Sequence, residues 1–196
     1  MKRKVRNGLL VAVLATSLGF YSCGDKANKS EDKVMDEEIE HDMKSDSLVA
    51  NSQEAVINVQ FKETAITAVF NYYIEVKNAL VASDNSAVQM HGKMLKESLV
   101  AANAEQSLVD ATNQLVEATD IDKQRESFSK ITKGMETVLT GAISSGEVYK
   151  QFCPMAFDGK GDYWYSSSSE IRNPYFGDKM LKCGRVEEVI NNKETN

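Results

Sequence analysis

Residues 61–80 read FKETAITAVFNYYIEVKNAL. Within them Ile66, Val69, Tyr73, Val76 and Leu80 recur at spacings of three and four, which places them on one face of an α-helix. That period predicts a helical protein. Ser83-Asp84-Asn85-Ser86 follows at once, closing the helix and offering side-chain caps for the next. The exposed faces are expected to carry charge, with Lys77, Lys93, Lys96, Glu97, Lys123 and Lys133 among them.

The same period continues downstream. Val88, His91, Leu95, Leu99 and Ala102 predict a second helix over 87–103, and Leu108, Ala111, Leu115 and Ala118 a third piece over 105–119 that either stands alone or extends the second. Asp120 or Asp122 is placed to cap a last long helix bearing Phe128, Ile131, Met135, Val138 and Ala142, ended by Ser144-Ser145-Gly146. Short connections favour antiparallel neighbours, so the expected fold is mostly α: an up-down bundle of three to four helices.

Beyond Gly146 the period shifts toward two. Val148, Lys150 and Phe152 alternate with Tyr149, Gln151 and Cys153, which reads as a strand. Asp158-Gly159-Lys160-Gly161 is a turn signal, and Tyr163-Trp164-Tyr165 a second strand. Ser169 is placed to cap a helical turn at 170–172, and Val186, Val189 and Ile190 mark a final apolar stretch before a polar tail over 191–196. The bundle thus ends in a small irregular cap built on a β-hairpin, the two together spanning 59–190. Eight aromatic residues fall between Tyr149 and Phe176, so the cap buries a core of its own.

Sulfur brackets this cap. Cys153 and Met155 stand where it starts, Met180 and Cys183 where it ends. Thiolate and thioether are soft donors that select Cu(I) over hard cations. The rival reading is a Cys153–Cys183 disulfide, which would close a loop of about 30 residues and contribute roughly 3–4 kcal/mol in the chain-entropy model. Unpaired buried thiols are the third. A weaker set, Met90, His91 and Met94, shares one helical flank, although a half-buried histidine among core methionines explains it as simply. Asp158 and Asp162 lack the remaining positions of a calcium loop. No serine nucleophile with a base, acid–base pair or phosphate-cradling glycine motif stands out, so no enzyme is expected.

The run Cys153-Pro154-Met155-Ala156, Trp164, Asn173-Pro174-Tyr175-Phe176-Gly177 and Met180-x-x-Cys183-Gly184 resembles the C-terminal signature of the domain of unknown function 3347 family, over about 61–189. It departs from that pattern after Trp164, where Tyr165-Ser166 replaces Leu-Ser. The resemblance implies an exported protein. It also implies company with periplasmic adaptor subunits of copper and silver efflux pumps, on which such domains occur as extensions. Trp164, Asn173, Pro174, Tyr175, Phe176, Gly177 and Gly184 are expected to be structural.

The amino end fits export. MKRKVRN carries four positive charges, and an apolar run over 8–20 is too short for a permanent span but suits a secretory signal. Ser22-Cys23 then resembles a lipoprotein cleavage box, which makes 1–22 the signal and Cys23 the lipidation site. Lipid chains would hold the protein on a membrane in the bacterial cell envelope, facing the periplasm or the outside. Residues 23–58 are acidic and poor in aromatics and are read as a disordered tether. The full chain has a net charge of −6 before that basic leader is removed, which argues against nucleic acid as a partner. The expected function is an exported lipoprotein that binds a soft metal, Cu(I), for tolerance or hand-off to efflux. The alternative is a non-catalytic envelope interaction module whose cap is stapled by the disulfide.

Overall fold

The structure is a computed structural model, and it describes residues 58–192. The expected signal, Cys23, nearly all of the tether, and residues 193–196 of the tail lie outside the described residues. The chain divides into two units, and the described residues belong to the second, Leu48–Asn196.

This unit is mostly helical with a C-terminal strand region. A short strand, β1 (Gln60–Phe61), precedes four long helices: α1 (Thr64–Val81), α2 (Asn85–Ala101), α3 (Gln106–Glu117) and α4 (Ile121–Leu139). The starts of α2 and α4 follow the cap logic. Asp84 accepts from the Ala87 N–H at 2.9 Å, and Asp120 accepts from Asp122 and Lys123 at 3.0 and 3.1 Å. Each such cap contributes about 1 kcal/mol.

The ends of α1 and α2 use a left-handed residue without glycine. Ser83 (φ 55°) and Asn103 (φ 53°) turn the chain. Asp84 N then donates to Ala79 O and Ala104 N to Leu99 O, both at 3.0 Å, satisfying carbonyls that the last turn would leave open. The turn at Asn103 makes α2 and α3 separate helices.

α1 is buried on a wide stripe, because it packs against α2, α4 and the first strand. Val69, Phe70, Tyr73, Ile74, Val76 and Leu80 are all at or below 1% exposure. Lys77 lies inside that stripe and is buried, not on the expected charged face. Its neighbours at three and four residues, Tyr73, Leu80 and Val81, set its direction.

α4 ends earlier than the three-four period suggested. Residues 142–145 are taken by pairing instead: Lys62 N donates to Ala142 O at 2.9 Å, and β2 (Ile143–Ser145) runs antiparallel to β1 (Gln60–Phe61). A second sheet has the order β4-β3-β5, formed by β3 (Glu147–Cys153), β4 (Asp162–Ser166) and β5 (Arg185–Asn191), with both neighbours antiparallel to β3. The expected hairpin is β3–β4, and the last apolar stretch completes it as a third strand.

Val148, Gln151 and Cys153 all face inward, which strict alternation forbids. A register shift against β5 falls between Lys150 and Gln151 and accounts for the change of face. Residues 170–172 form no helix. Ser168 Oγ accepts the Glu170 N–H at 3.1 Å and folds the serine run into a turn.

Cap and helices share one core. Tyr73 stacks on Phe128 at 5.0 Å, Phe128 meets Tyr175 at 6.1 Å, and Tyr175 meets Trp164 edge-on at 6.0 Å. The inner face of α4 also carries polar groups that hold the cap. Thr132 hydrogen-bonds the Tyr73 hydroxyl at 2.8 Å, and that hydroxyl accepts the Tyr165 N–H at 3.1 Å. Ser129 donates to buried Asp162, and Arg125 Nε donates to Pro174 O at 3.0 Å. No helix among the described residues is long and apolar enough to cross a membrane.

Candidate functional site

Cys153 is the last residue of β3, paired with Asp162 of β4, and it is fully buried. Cys183 lies thirty residues on, between a 3-10 turn at Gly177–Met180 and the start of β5, and is partly exposed. The fold brings their Sγ atoms to 3.1 Å, with both cysteines as thiols.

Three devices hold Cys183 there. Asn173 Nδ2 donates to the Cys183 carbonyl at 2.7 Å, and Asn173 N donates to Leu181 O at 2.9 Å. Cys183 N donates to Met180 O at 3.0 Å. Gly184 then passes under the indole: a Cβ there would stand 2.9 Å from Trp164 Cη2 and 3.0 Å from Phe152 O, so only glycine fits.

The residues expected to be structural occupy this frame. Asn173 Oδ1 accepts the Tyr175 N–H at 2.8 Å, and the Tyr175 hydroxyl donates to Tyr163 O at 2.6 Å. Gly177 takes a left-handed φ of 57°, with Val81 O 2.8 Å from where a Cβ would be. Trp164 is fully buried and its Nε1 has no hydrogen-bond partner, so the indole is held by packing while its backbone pairs with Gln151 of β3.

The two thiols hydrogen-bond each other, and either sulfur can be the donor. That hydrogen bond, more than burial or the Cys153 charge, pushes the Cys183 thiol above its ordinary range. The Met155 backbone N–H donates toward Cys183 and opposes the shift weakly.

The two methionines line a different surface. Met155 is 51% exposed and Met180 37%, and both line an open groove of about 640 Å³ with Phe157, Phe176, Asp122 and Glu126. Neither cysteine lines it. The four sulfurs are therefore arranged as a thiol pair inside and a thioether pair in the adjoining groove. After Met155 the chain makes a left-handed turn at Phe157 (φ 50°) and Asp158 (φ 59°), closed by Gly161 N donating to Ala156 O at 3.0 Å. Asp158 lies in this turn, while Asp162 is buried against Ser129.

On α2, Met90 and Met94 are 55% and 43% exposed, so they are not core methionines; His91 beside them is half-buried. Among the described residues no group of three or more His, Cys, Asp or Glu is gathered.

Sequence reasoning missed Asp162, Arg125 and Thr132 as the polar pins between α4 and the cap. Their signal was the run of Gln124, Arg125, Ser127, Ser129 and Thr132 on the buried side of a helix.

Residues 69–146 match the family model described as "Protein of unknown function (DUF3347)". The match runs from within α1 to the residue after β2 and stops before the sulfur-bearing cap. No curated protein and no solved structure matches the chain.

Proposed function

We propose that this chain, which resembles the DUF3347 family over its helices, is an exported, lipid-anchored protein that binds a soft metal ion at Cys153 and Cys183. By donor chemistry the ion is Cu(I), taken up for tolerance or for hand-off to efflux components in the bacterial envelope. The observation that carries this reading is the convergence of two thiols from opposite ends of the cap to 3.1 Å. Met155 and Met180 add thioether donors in the adjoining groove. Met90, His91 and Met94 enter only as a weaker, surface set.

The spacing bears on the chemistry. A metal–thiolate bond of about 2.3 Å and a tetrahedral angle put two sulfurs ~3.8 Å apart. A disulfide needs about 2.05 Å. The pair stands between the two, so each state is reached by a sulfur movement of about 1 Å. Cys183, on an irregular and partly exposed segment, supplies that movement.

The carrier of the site is read as an up-down bundle. Its support is the short links between helices, the packing of each long helix on the next and of α1 on α4, and close contacts at Gly92 and Gly134. An ideal Cβ at Gly92 would stand 2.7 Å from Leu115, and one at Gly134 2.9 Å from Leu108.

Titration of the reduced full chain with Cu(I), read by native mass spectrometry, tests the proposal. One bound copper is expected, lost in Cys183→Ala. No uptake, or the same uptake in Cys183→Ala, rejects it. The second reading, a disulfide-stapled interaction module, is favoured by a separation shorter than the chelate requires. Protein isolated from its native envelope with both thiols blocked, and released only by a reductant, supports that reading.

A further inference from the structure

The two thiols differ in access and in setting. Cys153 is fully buried at the end of a strand whose neighbours on both sides are paired. Cys183 is partly exposed on the irregular segment after the 3-10 turn, held through its backbone by the Asn173 side chain and the Met180 carbonyl, outside any paired strand. Thiol–disulfide exchange requires an attacking sulfur in line with the bond it breaks, so access decides which cysteine reacts first with an outside partner.

We infer that Cys153 and Cys183 form a reversible thiol–disulfide couple in which Cys183 exchanges with an external disulfide and Cys153 resolves the product, so that oxidation closes the soft-metal site. In the first step the Cys183 thiolate attacks an external disulfide. A Cys183–sulfur bond forms, the external S–S bond breaks, and one thiolate leaves. In the second step the Cys153 thiolate, 3.1 Å away, attacks Cys183 Sγ and expels the second external thiolate. Two electrons pass from the pair to the external disulfide, and the two protons leave with the departing thiols or to water. Reduction runs the same path backward, with an external thiolate attacking Cys183. The gating of metal rests on the soft-metal reading above; the order of sulfur attack does not.

Glutathione disulfide is the probe, applied to the reduced full chain and followed by acid quench and tryptic mapping. Cleavage after Lys150, Lys160, Lys182 and Arg185 puts the two cysteines in separate peptides, 151–160 and 183–185. Wild type is expected to yield the two peptides cross-linked. Cys153→Ser is expected to trap glutathione on Cys183, and Cys183→Ser to label Cys153 at least about tenfold more slowly. An N-ethylmaleimide pulse on reduced wild type is expected to label 183–185 first, which keeps the test open if Cys153→Ser fails to fold. Wild type that stays dithiol, or a Cys153 that reacts as fast as Cys183, overturns the inference. Oxidised wild type is expected to take up about tenfold less Cu(I) than reduced, with uptake restored by dithiothreitol. Equal uptake overturns the gating. If Cys183 reacts first but reduced protein takes no Cu(I), the soft-metal reading falls and the exchange order stands.

Discussion

Asn173 donates its side-chain amide to the Cys183 carbonyl, accepts the Tyr175 N–H, and gives its own N–H to Leu181. It is fully buried, so truncation to Ala leaves the Cys183 carbonyl and the Tyr175 N–H without their side-chain partner, while the backbone bond to Leu181 remains. Asn173→Ala is expected to cost about 2–3 kcal/mol in urea unfolding and to speed maleimide labelling of Cys183. Unchanged labelling would mean that Cys183 is held by something other than this residue. Gly184→Ala drives a methyl into the indole and the Phe152 carbonyl. Its expected cost is about 1–3 kcal/mol, seen as a lower thermal midpoint. Both residues were named from the sequence, in the Asn-Pro-Tyr-Phe-Gly run and the Cys-Gly pair. What they touch was not, because those contacts come from residues distant in sequence.

At the scale of elements, the capped starts of α2 and α4 and the end of α1 at Ser83 were readable, while the sequence leaves the break after α2 open and misplaces the end of α4. A cap such as Asp84 or Asp120 acts on N–H groups two or three residues away, so its chemistry is local. Ser83 and Asn103 end their helices in left-handed backbone, whereas α4 ends because β1, far upstream, pairs with the segment after it. Period three-four at Ala142 therefore described a strand neighbour, not a last turn. The buried place of Lys77 was hidden for a related reason: its face is covered by elements the local pattern does not contain. The polar stripe of α4 gives a test at this scale. Thr132→Val keeps the shape and removes the partner of the Tyr73 hydroxyl, with an expected loss of about 1–2 kcal/mol. A double mutant with Tyr73→Phe should cost less than the two single losses added, since both break the same link. Additive losses would show that the hydroxyls do not depend on each other.

Across the whole molecule, the cap and the helices behave as one core through four tyrosines. Burial pushes the hydroxyls of Tyr73, Tyr165 and Tyr175 upward, and that of Tyr163 up to about 12. In the unfolded chain they ionise near 10.0. The folded state then holds more protons than the unfolded one above that value, so stability is intact below it and falls as pH rises beyond it. Tyrosinate absorbance and far-ultraviolet circular dichroism should change together in one alkaline transition. Ionisation of Tyr163, Tyr165 and Tyr175, isolated by difference against their Phe variants, while the helices persist would mean that the cap opens alone. The four sulfurs were named from the sequence as one set, but β3 ends at buried Cys153 and the chain leaves extended geometry by Met155 (φ −89°, ψ −9°), so the thiols lie inside and the thioethers line the groove. The most direct test of the proposed metal centre is X-ray absorption at the copper edge of reduced full chain loaded with Cu(I). A sulfur shell at about 2.3 Å, abolished by Cys183→Ala, is the expected result. A shell of nitrogen and oxygen, or a sulfur shell indifferent to that substitution, would contradict it.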